Sequence, residues 1–155
     1  MPRLRSWPTS WGRWLRTLAD DVVEPIAARI ESVVGATRTV YRYGVPDGPL
    51  PDTYILVTAS VGETSSTNLA GLADRRAPSV DVKSVSRSPD RRQAAREALW
   101  GARKVVDSLT DFRPAVGRVA WPMDHLTSYA PVADDSLPDA VVMQAVERYT
   151  LAYQP

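Results

Sequence analysis

The feature that most constrains this chain is a change of hydrophobic period, repeated twice along its length. From Ser10 the apolar residues Trp11, Trp14, Leu15, Leu18, Val22, Ile26, Ile30 and Val33 recur at spacings of three and four, which is the stripe of an amphipathic helix. Thr9 or Ser10 can cap it, Pro25 should kink it or divide it in two, and Gly35 ends it. The period then drops toward two. Thr37–Tyr43 and Thr53–Val61 read as strands, the second apolar on both faces at its centre and so expected to be central in a sheet. Between them Gly44–Pro51 is a loop rich in turn formers. Pro78–Ser86 alternates, with Val80, Val82 and Ser84 on one side and Asp81, Lys83 and Val85 on the other.

Helical spacing returns after Ser88, which reads as a cap with Pro89 and Asp90 in the first turn. The stripe runs through Ala94, Ala95, Ala98, Leu99, Ala102, Val105, Val106 and Leu109, and the opposite side carries Arg91, Arg92, Arg96, Arg103 and Lys104. Val116–Met123 and Ala140–Tyr153 read as further strands, joined by an acidic loop through Asp134, Asp135 and Pro138. Helix, three strands, helix, two strands describes an α/β (α+β) domain: a small mixed, largely antiparallel sheet with helices packed on it. At 155 residues, 44% of them hydrophobic, the chain can build one core without staples. Residues 1–16 are expected to be a Trp/Arg arm, and residues 17–155 a single domain.

The composition excludes several function classes. With no cysteine there is neither a disulfide framework nor a thiolate metal site, and His125 alone cannot build a histidine-rich zinc centre. No apolar run approaches the ~20 residues of a membrane span, and the N-terminus lacks the apolar core of a signal peptide. A net charge of +1 argues against wholesale nucleic-acid binding, but the charge is unevenly distributed. Arg3, Arg5, Arg13 and Arg16 precede the first acid, whereas Asp107–Glu147 holds seven acids against Arg113 and Arg118. Such poles suit contact between copies, although a solvated surface is the commoner meaning.

Two catalytic patterns can be weighed. His125 could join a serine and an acid in a triad, but no nucleophile-elbow motif accompanies it. Pro51-Asp52 together with Asp81-Val82-Lys83 resembles the PD-(D/E)xK nucleases, in which two carboxylates hold Mg²⁺ and a lysine positions the attacking water. An Asp-x-Lys on the wet side of a strand also arises readily by chance. No phosphate-binding glycine turn is present. The residues therefore assign no catalytic, cofactor-binding or metal-binding role.

A larger pattern covers roughly residues 37–153. Tyr41-Arg42-Tyr43-Gly44 leads to Leu50-Pro51-Asp52-Thr53-Tyr54, and Leu69-Ala70-Gly71 is followed by Asp74-Arg75-Arg76. Val82-Lys83-Ser84-Val85, a helix opening with Arg92-Gln93-Ala94, and Leu137-Pro138-Asp139-Ala140-Val141-Val142 complete it. In order and spacing these blocks resemble the tail terminator (tail-completion, minor tail) proteins of siphophages, especially those of actinobacteriophages. The resemblance implies a non-enzymatic virion protein without cofactors. It would form a homo-oligomeric ring, of six in that family, at the head-proximal end of the tail after assembly in the host cytoplasm. Such a ring ends tube polymerisation and meets the tail tube protein on one side and the head–tail connector or stopper on the other. DNA passes through its lumen without sequence-specific binding, and no membrane is involved. A neighbouring head–tail connector adaptor is the nearest alternative. Asp81 and Lys83 depart from the neutral polar residues usual at those positions, and the Trp/Arg arm is an addition. The candidate interface residues are Arg3, Arg5, Trp7 and Trp11 of the arm, Leu69, Arg75 and Arg76 of the Gly62–Arg76 loop, Arg92 and Arg96 of the second helix, and Asp134 and Asp135.

Overall fold

A computed structural model describes residues 10–60, 64–65, 75–134 and 140–154. Helix α1 (Ser10–Val34) leads into strand β1 (Thr39–Arg42), followed by β2 (Thr53–Ser60), β3 (Thr64–Ser65), β4 (Arg75–Arg76) and β5 (Ser79–Ser88). Helix α2 (Arg91–Leu109) comes next, then β6 (Val119–Ala120), β7 (Asp124–Asp134), β8 (Val141–Thr150) and β9 (Tyr153–Gln154).

The main sheet has the order β1-β2-β5-β8-β7, with β1 parallel to β2 and every other pairing antiparallel. The expected α+β class is therefore what forms. A smaller sheet, ordered β3-β4-β9-β6, gathers four two-residue strands. The parallel β1–β2 step is made by residues 43–52, which must carry the chain back to the start of the sheet. Tyr43 takes a left-handed conformation (φ 67°) and donates its N–H to Val57. Gly48, at φ 114°, occupies backbone space that L side chains rarely enter.

Both helices lie on one side of the main sheet. Val22, Val23, Ile26, Ala27, Ile30 and Val34 of α1 pack with Val40, Ile55, Val57, Val80 and Val82, and Val105 and Leu109 of α2 join the same cluster. A second cluster sets Ala94, Ala98 and Ala102 against Met143 and Ala145 of β8. Cross-strand register puts Leu56, Lys83, Val146 and Tyr129 in one row on the opposite face.

Several expectations change. The helix assigned over Ser10–Val34 is not divided at Pro25. Proline there removes one hydrogen bond, to the Asp21 carbonyl, and the buried Val22, Val23, Ile26 and Ala27 hold both sides of the gap. Ser88 is the last residue of β5, paired with Val141, so Asp90 rather than Ser88 caps α2, accepting from the Arg92 N–H at 2.8 Å. The buried side of α2 is Ala94, Ala98, Gly101, Ala102, Val105, Ser108 and Leu109, and Leu99 stands 37% exposed. Small residues let the helix axis approach the sheet, so the large Leu99 falls to the flank. The strand read over Val116–Met123 shrinks to Val119–Ala120, and the region beyond it holds the long edge strand β7. Strand β2 is interior as expected, flanked by β1 and β5, and β5 is the middle strand of the five.

Candidate functional site

The register decides the nuclease question. Asp81 lies opposite Thr58, whereas Asp52 precedes Thr53 at the other end of β2. Six residues at ~3.3 Å each place the two carboxylates roughly 20 Å apart, too far to share an ion. Asp81 is already engaged: the Arg148 Nε and Nη2 donate to its two oxygens at 2.7 and 2.9 Å. Those hydrogen bonds hold the Asp81 carboxyl below its ordinary range, against the opposing effect of partial burial. The guanidinium is raised in turn, and its Nη1 reaches Tyr129 Oη at 3.2 Å. No group of three His, Asp or Glu residues suited to a metal occurs among the described residues.

His125 does meet a serine and an acid, but in the wrong arrangement for catalysis. Its Nε2 lies 2.7 Å from Glu147 Oε2 and 3.3 Å from Ser128 Oγ, and that hydroxyl donates directly to the same Glu147 oxygen. A catalytic relay needs the serine and the acid on opposite ring nitrogens. Here two polar groups satisfy a carboxylate whose side chain is only 6% exposed. The cluster is structural. Burial, with the nearby Glu147 charge, also raises the neighbouring Tyr149 phenol.

The candidate interface residues scatter over the molecule. Arg3, Arg5, Trp7, Leu69 and Asp135 lie outside the described residues, and Trp11 falls in the first turn of α1. Arg75 and Arg76 are not at a loop tip but form β4, paired with Ser65 and Thr64 and, through Arg76, with Tyr153. Asp134 ends β7 opposite Val142. Arg92 and Arg96 are exposed on α2, beside exposed Arg91 and Arg103.

Arg96 also borders a cleft the sequence did not disclose. It has a volume of about 540 Å³ and is lined by Thr37, Arg38, Thr53, Arg96, Glu97 and Trp100. Arg38 enters from the start of β1 and is buried to 4% exposure. Its Nη2 donates to the Glu97 carbonyl at 2.7 Å and to Glu97 Oε2 at 3.2 Å. The Arg38 Cζ stands 5.0 Å from the Trp100 ring centroid, a cation–π arrangement. Burial lowers the guanidinium pKa, partly countered by Glu97. Arg38 Nη1 and Ser84 Oγ are both buried without a hydrogen-bond partner among the described residues. A Cβ at Gly101 would meet both atoms, so the absent side chain is what makes room for the arginine. Glycine in the middle of a helical stripe was the available signal, since it marks a close approach. The cleft is walled by the Trp100 indole and bordered by Arg96, with the Arg38 guanidinium buried beneath it and paired to Glu97.

No protein-family model matches the chain, and no curated protein sequence matches it. Among solved structures the fold is similar to a chain from the virion of a native gene transfer agent particle. That match has a TM-score of 0.57 at 16% identity, and covers 88% of this chain and 97% of the other.

Proposed function

We propose that this chain is a structural protein of a phage-type virion, working as a ring that caps the tail tube. In this reading six copies close on the last tube layer, stop its polymerisation and present the surface that joins the head. The observation that carries it is the end-to-end likeness to a chain of a gene transfer agent virion, which leaves only 3% of that chain unmatched. The tail-terminator resemblance of residues 37–153 points the same way and supplies the finer role. Its partners are further copies of itself, the tube protein and a connector or stopper. Duplex DNA crosses the lumen without base-specific contact, in keeping with a net charge of only +1. The work is assembly. Neither the separated Asp52 and Asp81 nor the His125 cluster supplies a reaction centre.

The test is to add purified protein to polymerising tail tubes and measure their length by electron microscopy. Capped tubes of arrested length, with a ring at one end, are expected. Particles made without the protein should carry abnormally long tails. Normal tails beside unattached heads would identify a neck adaptor instead, and tubes that keep growing in excess protein would remove the capping role.

A further inference from the structure

The outward ridge of α2 is cationic. At 3.6 residues per turn, Arg92, Arg96 and Arg103 fall within about 40° of one another, opposite the buried Ala94, Ala98 and Val105. All three are exposed, as are Arg91 in the first turn and Arg87 near the end of β5. None of these guanidinium groups makes an ion pair among the described residues. The acids beside them are engaged, Asp90 in capping the helix and Glu97 in holding Arg38, and Asp107 stands a turn beyond Arg103. Left alone, the arrangement weakens α2. Like charges four residues apart repel, and arginines in a first turn without an acid oppose the helix dipole. An anion from outside relieves both. Protein interfaces are depleted of charge at their core and rely on apolar anchors there. This ridge sets three guanidinium groups around Leu99, and the neighbouring Trp100 ring already carries Arg38 at 5.0 Å and Lys104 at 5.7 Å. Nucleic-acid interfaces are polar and strongly positive, which is the chemistry of this ridge. From Arg92 to Arg103 it runs roughly 16 Å, the length of about five phosphates on one duplex strand.

We infer that the Arg92–Arg96–Arg103 ridge is a phosphate-backbone contact, turned toward the lumen to meet the passing duplex. The inference rests on the ring reading and names the face that lines its channel. Arginine is suited to the task, since its planar fork matches phosphate oxygens and never loses its charge. Phosphate contacts carry no sequence information, so the duplex slides past them. A net charge of +1 for the whole chain is no obstacle, because the ridge gathers its cations on one side of one helix.

The test is fluorescence anisotropy of a short labelled DNA duplex of arbitrary sequence with the full chain, between about 50 and 200 mM salt. Arg92→Gln, Arg96→Gln and Arg103→Gln keep the helix propensity and should each make the slope of log affinity against log salt shallower by about one. The triple variant, with folding checked by circular dichroism, should bind the duplex about tenfold or more weakly at low salt. Removing two exposed arginines elsewhere, by Arg113→Gln with Arg118→Gln, should change neither slope nor affinity comparably. Poly-glutamate, a probe for an acidic protein partner, should bind the parent more weakly than the duplex does. A triple variant that binds the duplex like the parent, or a parent that prefers poly-glutamate, would overturn the inference. So would a folded triple variant that no longer caps tail tubes, since the ridge would then be a contact between copies. Tubes that keep growing in excess parent protein would remove the ring, and the lumen with it, even where the duplex binds.

Discussion

A methyl group at Gly101 would collide with Ser84 Oγ and stand 3.0 Å from Arg38 Nη1 and 3.1 Å from its Cζ. Two effects oppose each other there. Alanine is favoured over glycine in a helix interior by about 1 kcal/mol. Against it, Ser84 is a short, buried side chain in the central strand, and Arg38 is held by Glu97 and Trp100, so neither yields easily. Overpacking of this kind costs about 1–3 kcal/mol, and the collision should win. Gly101→Ala is therefore expected to lower Tm by a few degrees and to change Trp100 fluorescence as Arg38 shifts. A variant as stable as the parent would show that α2 rides over β5 with room to spare. Gly101 was visible in the sequence as a glycine inside a helical stripe. Arg38 was not, because an arginine within the Thr37–Tyr43 strand carries no sign of burial in the sequence. Its burial depends on α2, which crosses it with residues some 60 positions later.

Three strands are tied together on the face away from the helices by the Asp81–Arg148–Tyr129 group, from β5, β8 and β7 in turn. The Asp81 carboxyl is depressed in the folded chain, chiefly by the Arg148 hydrogen bond. Its contribution is thus fully present above the unfolded value, ~3.9, and is lost as pH falls through the lower folded value. Asp81→Asn should therefore be less stable than the parent by a constant amount from neutral pH down to about pH 5. That gap should close as the pH drops further, and urea unfolding at pH 7, 5, 4 and 3 would measure it. Arg148 is 41% exposed, so added salt should shrink the gap at neutral pH. A gap that persists unchanged to pH 3 would show that the pair adds no charge-dependent stability. The alternation of β5 and the stripe of α2 were legible because each buries one side. β7 was not, because Leu126, Tyr129 and Val132 are 55%, 44% and 57% exposed and register shifts at His125/Thr127 and Tyr129/Val132 break its period. An edge strand with an open face needs no apolar stripe, and Pro131 further disguises it.

At the scale of the whole molecule the charge poles and the N-terminal arm bear on the proposed ring together. Of the Trp/Arg-rich residues 1–16, Trp11, Arg13, Trp14 and Arg16 are carried on α1, which begins at Ser10, and residues 1–9 precede it. The helix core that packs on the sheet is legible from Val22 onward. Twenty-five residues at 1.5 Å make α1 about 37 Å long, enough to extend well past the first buried turn. Tryptophan and arginine are the types most enriched at interface anchors, and this stretch joins three indoles to four guanidinium groups. We propose that it lies across a neighbouring copy or the adjoining ring, its arginines meeting acids between Asp107 and Glu147. Removing residues 1–8, or changing Trp7 and Trp11 to Ala, should leave circular dichroism and Tm close to the parent, because the described core lies elsewhere. The same variants should impair ring formation or head attachment by at least tenfold, the scale of losing a central anchor. The alternative, an arm folded back on its own domain, predicts the reverse: a lower Tm with assembly unchanged. Variants that match the parent in both measurements would show that the arm neither stabilises the domain nor joins its copies.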